Sequence, residues 1–456
     1  MTHKPLAVIS IVGLTPGLLG QHTPNLNALV KDGFSAPMDG VFPAVTCTAQ
    51  ASMLTGLTPS QHGIVANGWY FRELAEVMFW KQANGLMQGE KVWETARKQQ
   101  PGYTTAKLFW WYNMYASVDW SVTPRPIYPA DGRKIPGLYS SPAALEQSLQ
   151  DELGDFPFFD FWGPKSGIAS SDWIARCGAA VFKRHRPNLS LIYLPHLDYN
   201  LQRLGPNDPR IWEDVRAIDR VAGTLIDQLR GDGADILVVS EYGIDRVDRP
   251  VHINRVLRDA GLLAVRETLG WELLDCGASR AFGVADHQVA HVYVKNPGDL
   301  AQTAKLLRAT PGIEHVLEAE AQRAWGIAHP RSGELVAIAA PGAWFTYYYW
   351  LDDAKAPDFA RTVDIHRKPG YDPVELFVDP TIALLPAKIA WRVLQKKLGF
   401  RMLMDVIPLT AELVKGSHGR LPNRIEDGPM LISSRKDLAV DKLAMTGVRD
   451  LILKHR

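Results

Sequence analysis

Three short runs of apolar and β-branched residues dominate the hydropathy pattern of the chain. They are the segments 5–13 (PLAVISIVG), 188–198 (NLSLIYLPHLD) and 234–243 (ADILVVSEYG). Apolar runs of this length without alternation are typical of strands that are buried on both faces, as in parallel sheets. Open α/β sheets place their functional sites where such strands end. The pattern therefore predicts an α/β fold with a site formed at the ends of these three strands.

Helical patterns separate the apolar runs, and Pro and Gly mark the loops. Helices are predicted at 24–33, after Glu90, around 213–230, around 384–399 and in the tail 420–456. The stretch 117–165 is rich in Pro, Gly and aromatic residues and predicts a long structured loop. We interpret residues 1–260 together with 406–456 as the α/β core and 261–405 as an inserted cap region.

Composition and charge exclude several classes of protein. The 456 residues are 46% hydrophobic and 22% charged, with a formal net charge of +1 and no Lys/Arg-rich run, so a nucleic acid duplex is not an expected partner. No apolar stretch reaches the roughly 18 residues that a membrane span requires, and no membrane partner is expected. The N-terminus lacks a signal-peptide layout, and three widely spaced cysteines indicate free thiols, so a cytoplasmic location is expected. The oligomeric state stays open.

Residues 42–71 carry the strongest candidate chemistry. A Pro-containing turn leads into the hydroxyl-rich segment Thr46-Cys47-Thr48, which opens a short helix-compatible stretch. A hydroxyl at a helix N-terminus lies beside unpaired N–H groups and the positive end of the helix dipole, where a phosphate is stabilised. The alternative is that Thr46 or Thr48 only caps the helix.

Two segments in this region, FPAVT (42–46) and LTGLTPSQHGIVAN (54–67), resemble the nucleotide pyrophosphatase/phosphodiesterase branch of the alkaline phosphatase superfamily. The resemblance implies an alkaline-phosphatase-like sheet sandwiched between helices. It also implies hydrolysis of a phosphodiester or pyrophosphate, with Thr46 as the attacking nucleophile. Asn67 and Trp69, at the end of the second segment, are predicted to contact the substrate, a small phosphorylated molecule.

The same resemblance implies a first metal site. The family's Asp-x-x-x-His motif corresponds to Asp198 and Gln202, in which glutamine replaces the histidine. The family's closing Gly-x-His-Gly corresponds to residues 416–419 and supplies His418. A competing alignment places the family's last motif at residues 370–372 and makes His366 the ligand. The expected cofactor is a divalent metal, zinc or alternatively manganese.

The second metal site departs further from the family pattern. Glu241 replaces an aspartate and keeps a carboxylate, whereas Tyr242 replaces a histidine. Val12 stands where the family has its first aspartate ligand, and Ala49-Gln50 replaces an Asn-His pair. The predicted metal ligands are therefore Asp198, Gln202, Glu241, His366 and His418.

Two further groups of residues have alternative interpretations. Asp286, His287 and His291 lie in one strand-like piece whose alternation puts both histidines on one face, where they could bind a metal or, as we favour, be satisfied core residues. His366, Arg367 and Lys368 could clamp an anion, with Arg367 binding substrate, or form a solvated charged loop.

Three functions are open from the sequence. The favoured one is a metal-dependent phosphoric ester hydrolase that uses Thr46. The second is single-metal or metal-independent chemistry on a related substrate. The third is a protein that binds a phosphorylated or aromatic metabolite without hydrolysing it.

Overall fold

The computed structural model describes residues 4–455 and shows an α/β architecture. Its strands are β1 Leu6–Ile11, β2 Phe34–Asp39, β3 Gly68–Phe71, β4 Glu76–Phe79, β5 Thr105–Leu108, β6 Trp120–Pro124, β7 Leu138–Ser141, β8 Leu189–Leu194, β9 Asp235–Val239, β10 Asp245–Arg246, β11 Arg249–Val251, β12 Val265–Thr268, β13 Trp271–Leu274, β14 Ala281–Asp286, β15 Val289–Val294, β16 Ile313–Leu317, β17 Leu335–Ala339, β18 Ala343–Phe345, β19 Gly416–Ser417, β20 Met430–Ser433 and β21 Leu443–Ala444.

The α-helices lie between these strands. They are α1 Pro24–Asp32, α2 Thr46–Thr55, α3 Pro59–His62, α4 Val92–Gln99, α5 Ala144–Leu153, α6 Phe158–Phe161, α7 Ile168–His185, α8 His196–Leu204, α9 Ile211–Gly231, α10 Ile253–Asp259, α11 Leu300–Arg308, α12 Ala319–Ala324, α13 Leu385–Lys397 and α14 Val448–Lys454.

A nine-stranded mixed sheet forms the centre of the molecule. Its strand order is β21-β2-β20-β9-β1-β8-β5-β6-β7. The three apolar runs form its middle, because β1 pairs in parallel with both β8 and β9. Every residue of these three strands is buried, which explains their continuous apolar character. The predicted α/β class is therefore confirmed.

Helix α7 approaches the central sheet closely through a glycine. It packs against β8 and against α9. A Cβ at Gly178 would lie 2.6 Å from Cδ1 of Ile192, so only glycine allows this helix-to-strand distance without displacement.

The end of the second apolar run differs from the prediction. Strand β8 stops at Leu194 and α8 begins at His196, so Asp198 lies in the first turn of a helix rather than at the strand end. Because Gln202 follows four residues later on the same helix, the two side chains lie on one face and can bind each other.

The piece 281–294 is a hairpin rather than a single strand. Strands β14 and β15 pair antiparallel, with Asp286 opposite Val289 and a two-residue turn at His287-Gln288. His287 has a φ of 60°, a left-handed conformation that is uncommon for histidine. The strand alternation predicted for His287 and His291 is therefore wrong. These strands belong to a separate four-stranded sheet, β14-β15-β17-β16.

The C-terminal tail is not the single helix that was predicted. Within residues 420–455 the α-helix is α14, preceded by three short 3-10 helices, whereas β20 pairs with β2 on one side and with β9 on the other. The run 430–433 (MLIS) is fully buried, and pairing on both sides satisfies its backbone groups.

His62, in the segment 54–67, is a buried neutral histidine. Its Nδ1 accepts from the N–H of Ile64 at 3.1 Å, so Nε2 carries the proton and donates to Oγ of Ser52 at 2.9 Å. Burial lowers the pKa of His62 to about 3. Between pH 6.5 and 3 the unfolded chain therefore binds a proton that the native chain rejects, and stability present above pH 6.5 is lost as the pH falls.

We expect His62→Gln, which keeps a donor toward Ser52, to reduce this acid sensitivity. From pH 6.5 to 5 the free energy of unfolding of the unmodified protein should fall more steeply than that of the variant, by about 1.4 kcal/mol per pH unit. Urea unfolding at several pH values measures both slopes. The control Thr48→Val removes a hydrogen bond to the Ile64 carbonyl but no titrating group, so it should lower stability without changing the slope. Equal slopes for His62→Gln and the unmodified protein would contradict the assignment.

Candidate active site

Thr46 is the first residue of α2. The N-cap is Val45, in an extended conformation, and its side chain makes no capping hydrogen bond. The interpretation of Thr46 as a capping residue is therefore wrong, because its hydroxyl binds a side chain from another part of the chain. Thr46 itself is almost fully buried. The helix start places this hydroxyl at the positive end of the α2 dipole.

A hydrogen-bond chain connects Thr46 to a carboxylate. Thr46 Oγ1 lies 2.8 Å from the hydroxyl of Tyr242, and that hydroxyl donates to Oδ1 of Asp198 at 3.3 Å. While Asp198 is ionised, the tyrosine gives its one proton to Asp198, and Thr46 is then the donor to Tyr242. The direction of the chain is thus Thr46 to Tyr242 to Asp198.

Asp198 is also held by its own helix and faces the predicted C-terminal histidine. Gln202 Nε2 donates to Oδ2 of Asp198 at 2.7 Å, and Gln202 Oε1 accepts from the Tyr371 hydroxyl at 3.0 Å. His418 Nε2 lies 3.8 Å from Asp198 Oδ1. Burial raises the pKa of Asp198 to about 7. The structure therefore brings Asp198, Gln202 and His418 together, as predicted.

His418 is neutral and has a fixed tautomer. Its Nδ1 donates to the Ala44 carbonyl at 2.7 Å, so Nε2 is the unprotonated nitrogen that faces Asp198. Burial lowers the pKa of His418 to about 3. Its contact with Asp198 is therefore not an ion pair.

Glu241 lies on the other side of Thr46 and is completely buried. Its Oε1 accepts from Ser10 at 3.1 Å and from Gln50 Nε2 at 2.7 Å, and the Thr46 hydroxyl also interacts with the carboxyl group. Burial raises the pKa of Glu241 to about 8. Oε2 accepts no hydrogen bond of normal geometry from the residues that the structure describes.

Four stacked rings close the site. Tyr242 stacks on His418, His418 contacts His287, and His287 stacks on Tyr371, each pair with ring centroids 3.6 Å apart. All four rings are buried, and Asp198, whose side chain is 13% exposed, is the most accessible of the groups around Thr46. Thr46 and the four rings therefore have little contact with solvent.

Asn67 holds the start of α2 rather than facing an open pocket. Its Oδ1 accepts from the N–H of Cys47 at 2.9 Å, and its backbone N–H and Nδ2 donate to Asp286 at 2.8 and 3.1 Å. Burial raises the pKa of Asp286 to about 7. The observed role of Asn67 is to position the helix that carries Thr46.

The other predicted substrate and metal residues lie in different surroundings. Trp69 is buried, stacks on Phe71 and lies under the Arg331 guanidinium. His366 interacts with the Phe79 backbone and is surrounded by Lys134, Lys81 and Asp364, and burial lowers its pKa to about 4. Arg367 is exposed and pairs with Asp364 at 3.3 Å. None of these contacts, within residues 4–455, joins His366 or Arg367 to Asp198.

Three half-buried tryptophans border the site beside Tyr371. Trp80 and Trp162 contact the Tyr371 ring at centroid distances of 5.9 and 5.7 Å, and Trp111 contacts Trp80 at 4.8 Å. The backbone N–H of Trp111 donates to Gln50 Oε1, and Gln50 Nε2 donates to Glu241. The backbone that carries these tryptophans is therefore connected to the site.

Comparison with known proteins shows the family of the chain. A family model described as type I phosphodiesterase / nucleotide pyrophosphatase matches residues 6–372. The chain belongs to this family. It is 22% identical over 242 residues to mouse ectonucleotide pyrophosphatase/phosphodiesterase family member 1 and 25% identical over 263 residues to a pyrophosphatase/phosphodiesterase of Schizosaccharomyces pombe. These alignments cover 51% and 55% of this chain but only 23% and 46% of the two relatives.

Two solved structures share the fold of the chain. Murine ectonucleotide pyrophosphatase/phosphodiesterase 5 superposes with a TM-score of 0.59 at 16% identity, covering 99% of this chain and 94% of the other. Phosphonoacetate hydrolase from Sinorhizobium meliloti, in complex with phosphonoformate, gives 0.64 at 14% identity, covering 99% and 96%. At these identities the likeness supports the fold and not the chemistry.

The side chains of this phosphodiesterase-family member do not fit the two-metal centre that the resemblance implies. Val12 is apolar and buried at one expected ligand position, and Tyr242 occupies another. Gln202 gives its amide to Asp198 and its carbonyl oxygen to Tyr371, so neither group is free for a cation. In the part of the chain that the structure describes, no three His, Cys, Asp or Glu side chains are arranged to hold an ion. No step below is therefore assigned to a metal.

The sequence leaves His287 open between a metal ligand and a core residue, and it does not assign Gln50 or Tyr371 to the site of this family member. Gln50 is a departure from the family motif, and residues 370–372 resemble another family motif. The position of His287 could not be found from a strand pattern, because the residue lies in a left-handed turn.

Proposed function

We propose that this chain cleaves a phosphoric ester by nucleophilic attack of Thr46, with the proton removed through Tyr242 and Asp198. The hydrogen-bond chain from Thr46 to Tyr242 to Asp198 is the observation that carries this proposal. Family membership supplies the reaction class. Thr46 therefore remains the predicted nucleophile, and Tyr242 and Asp198 carry the proton away from it.

The proposed reaction is a substitution at phosphorus. The Thr46 oxygen forms a bond to phosphorus as the bond to the leaving alkoxide breaks. The Thr46 proton passes to Tyr242 as the Tyr242 proton passes to Asp198. Water then attacks the phospho-threonine and the bond from phosphorus to the Thr46 oxygen breaks; that oxygen takes a proton back from Tyr242 as Asp198 returns its proton to Tyr242. The proton released by the attacking water goes to solvent, and solvent protonates the leaving alkoxide.

The surroundings of Thr46 favour an anionic phosphoryl group at the N-terminus of α2. Thr46 opens a ten-residue helix whose N-terminal dipole favours negative charge. The Trp80, Trp111 and Trp162 side chains next to Tyr371 provide flat apolar surfaces. A phosphoric ester with an aromatic ring is therefore the substrate class that we propose.

The test is turnover of bis(p-nitrophenyl) phosphate by protein that has been dialysed against a chelator. Release of p-nitrophenolate should persist in the dialysed protein, and Tyr242→Phe should lower it because the proton path is interrupted. Acid quenching followed by peptide mapping should find phosphate on Thr46. Activity only after zinc or manganese is restored would overturn the metal-free proton path and return to the metal-dependent hydrolase that the sequence resemblance implies.

A second candidate is binding of a phosphorylated or aromatic metabolite without hydrolysis. The state of Thr46 favours it, because this side chain is 4% exposed and its hydroxyl is already hydrogen-bonded to Tyr242. Calorimetric binding of p-nitrophenyl phosphate with no product in either metal state would support this candidate over catalysis.

A further inference from the structure

The helix α13 has the opposite orientation to that of an ordinary surface helix. Surface helices normally turn their apolar stripe toward the core. In α13 the large apolar side chains Trp391, Val393 and Leu394 are 56%, 39% and 44% exposed, and Leu398, just beyond the helix, is 64% exposed. None of its residues is fully buried.

The polar side of α13 is the side that holds it to the protein. Lys388 and Arg392 both bind the Asp405 carboxylate, at 2.9 and 3.0 Å. Only Leu385 and Ile389 contact the neighbouring apolar core. Trp391, Leu394 and Leu398 are spaced i, i+3 and i+7, so they form one stripe that points away from these contacts.

The exposed stripe continues at both ends of the helix. Among residues 4–455, eight of the eighteen exposed large apolar side chains fall in the segment 378–403: Val378, Leu384, Trp391, Val393, Leu394, Leu398, Phe400 and Leu403. Monomeric soluble proteins rarely expose so concentrated an apolar surface, and such a surface marks a binding face. We call the segment 378–403 the exposed segment.

The exposed segment carries a net positive charge. Together with its flanking residues, 378–405, it contains five basic residues (Lys388, Arg392, Lys396, Lys397 and Arg401) and two acidic residues, of which Asp405 pairs with Lys388 and Arg392 and Asp379 pairs with Arg361. Lys396 and Lys397 are exposed and form no ion pair with any residue from 4 to 455. Arg401 interacts electrostatically with Asp131 and is partly compensated.

We propose that the exposed segment docks this protein onto an anionic phospholipid surface. The apolar stripe enters the boundary between headgroups and acyl chains while Lys396 and Lys397 contact anionic headgroups. Trp391 suits this depth, since tryptophan concentrates at membrane interfaces. The mode differs from spanning, and no helix within 4–455 has the length and apolar character to cross a bilayer.

A second copy of the chain fits this face less well. In a two-fold dimer the same patch meets itself, so uncompensated lysines would be brought close to lysines. Like charges at close range disfavour such a contact, whereas anionic lipid satisfies both the apolar and the basic parts.

The experiment is flotation of the full chain with vesicles of phosphatidylcholine alone and of phosphatidylcholine with 30% phosphatidylserine. Binding should require the anionic lipid. Lys396→Gln with Lys397→Gln should weaken partitioning by about 30-fold, since each basic residue near such a surface contributes roughly a fivefold factor. Leu394→Glu, at an exposed position, should lower binding at least tenfold without changing the thermal midpoint of the free protein.

Leu269→Glu serves as the matched control, because Leu269 is 84% exposed outside the exposed segment. It should bind vesicles like the unmodified protein. Equal binding to both vesicle types, no binding to either, or equal losses in Leu394→Glu and Leu269→Glu would overturn the proposal. So would sedimentation that shows a dimer dissociated by Leu394→Glu, which would assign the face to a second copy.

Discussion

Thr46→Ala should abolish phosphoric ester cleavage, with a loss of turnover of about a thousandfold or more. The alanine removes the only atom of residue 46 that can form the bond to phosphorus and the first member of the chain to Tyr242 and Asp198. Thr46→Ser keeps that oxygen and should retain measurable turnover. Initial rates with bis(p-nitrophenyl) phosphate, at equal amounts of folded protein, measure both variants.

The neighbouring hydroxyl provides the control for this experiment. Thr48 lies in the same helix, and its hydroxyl donates to the Ile64 carbonyl rather than to Tyr242. Thr48→Ala should therefore lower stability slightly and leave turnover near that of the unmodified protein. An active Thr46→Ala protein would show that Thr46 is not the nucleophile, and equal losses in both variants would point to damage of α2.

Lys368→Met should cost about 3–5 kcal/mol of folding stability, the largest structural effect that we expect. Lys368 is buried and pairs with Asp372 at 2.6 Å and with Glu375 at 2.8 Å, both also buried. Burial would lower the pKa of Lys368, but the two carboxylates more than offset this and keep its pKa above the usual value. Methionine fills a similar volume and leaves two buried acids without their cation. Urea unfolding monitored by circular dichroism gives the loss.

Two further variants separate the charge effect from a packing effect. Adding Asp372→Asn and Glu375→Gln to Lys368→Met removes the unpaired acids and should recover part of the stability. Lys98→Met breaks an exposed pair with Glu90, which solvent screens, and should cost far less stability than Lys368→Met. A loss below about 1 kcal/mol for Lys368→Met alone would contradict the expectation that the two buried acids depend on this cation.

The central sheet was predictable because its signal is local. Continuous apolar runs such as 5–13 and 234–243 predict buried strands from their own residues, and the structure confirms them as β1 and β9. The tail was not predictable in this way. The four residues of β20 form a strand only because β2 and β9 supply partners from distant parts of the chain.

The candidate site was likewise predictable only in part. The family resemblance indicates Thr46, Asp198 and His418. In the structure the Tyr242 hydroxyl joins Thr46 to Asp198, and His418 faces the Asp198 carboxylate. The resemblance could not indicate the contacts of Tyr242 and Gln202, which stand where the family has histidines. Both side chains donate to Asp198, and Tyr242 also stacks on His418. Such a network depends on side-chain geometry across separate elements, which no linear pattern records.

The insertion of β20 between β2 and β9 has a consequence for biosynthesis. Met430 pairs with Pro37, so during synthesis β2 lacks its β20 partner until roughly 390 more residues have been made. Such a long sequence separation is typical of slowly folding topologies. Until then one edge of the nascent sheet is unprotected, and chaperones are expected to engage it. A premature stop codon anywhere before residue 430 would leave that edge permanently open and send the fragment to proteolysis.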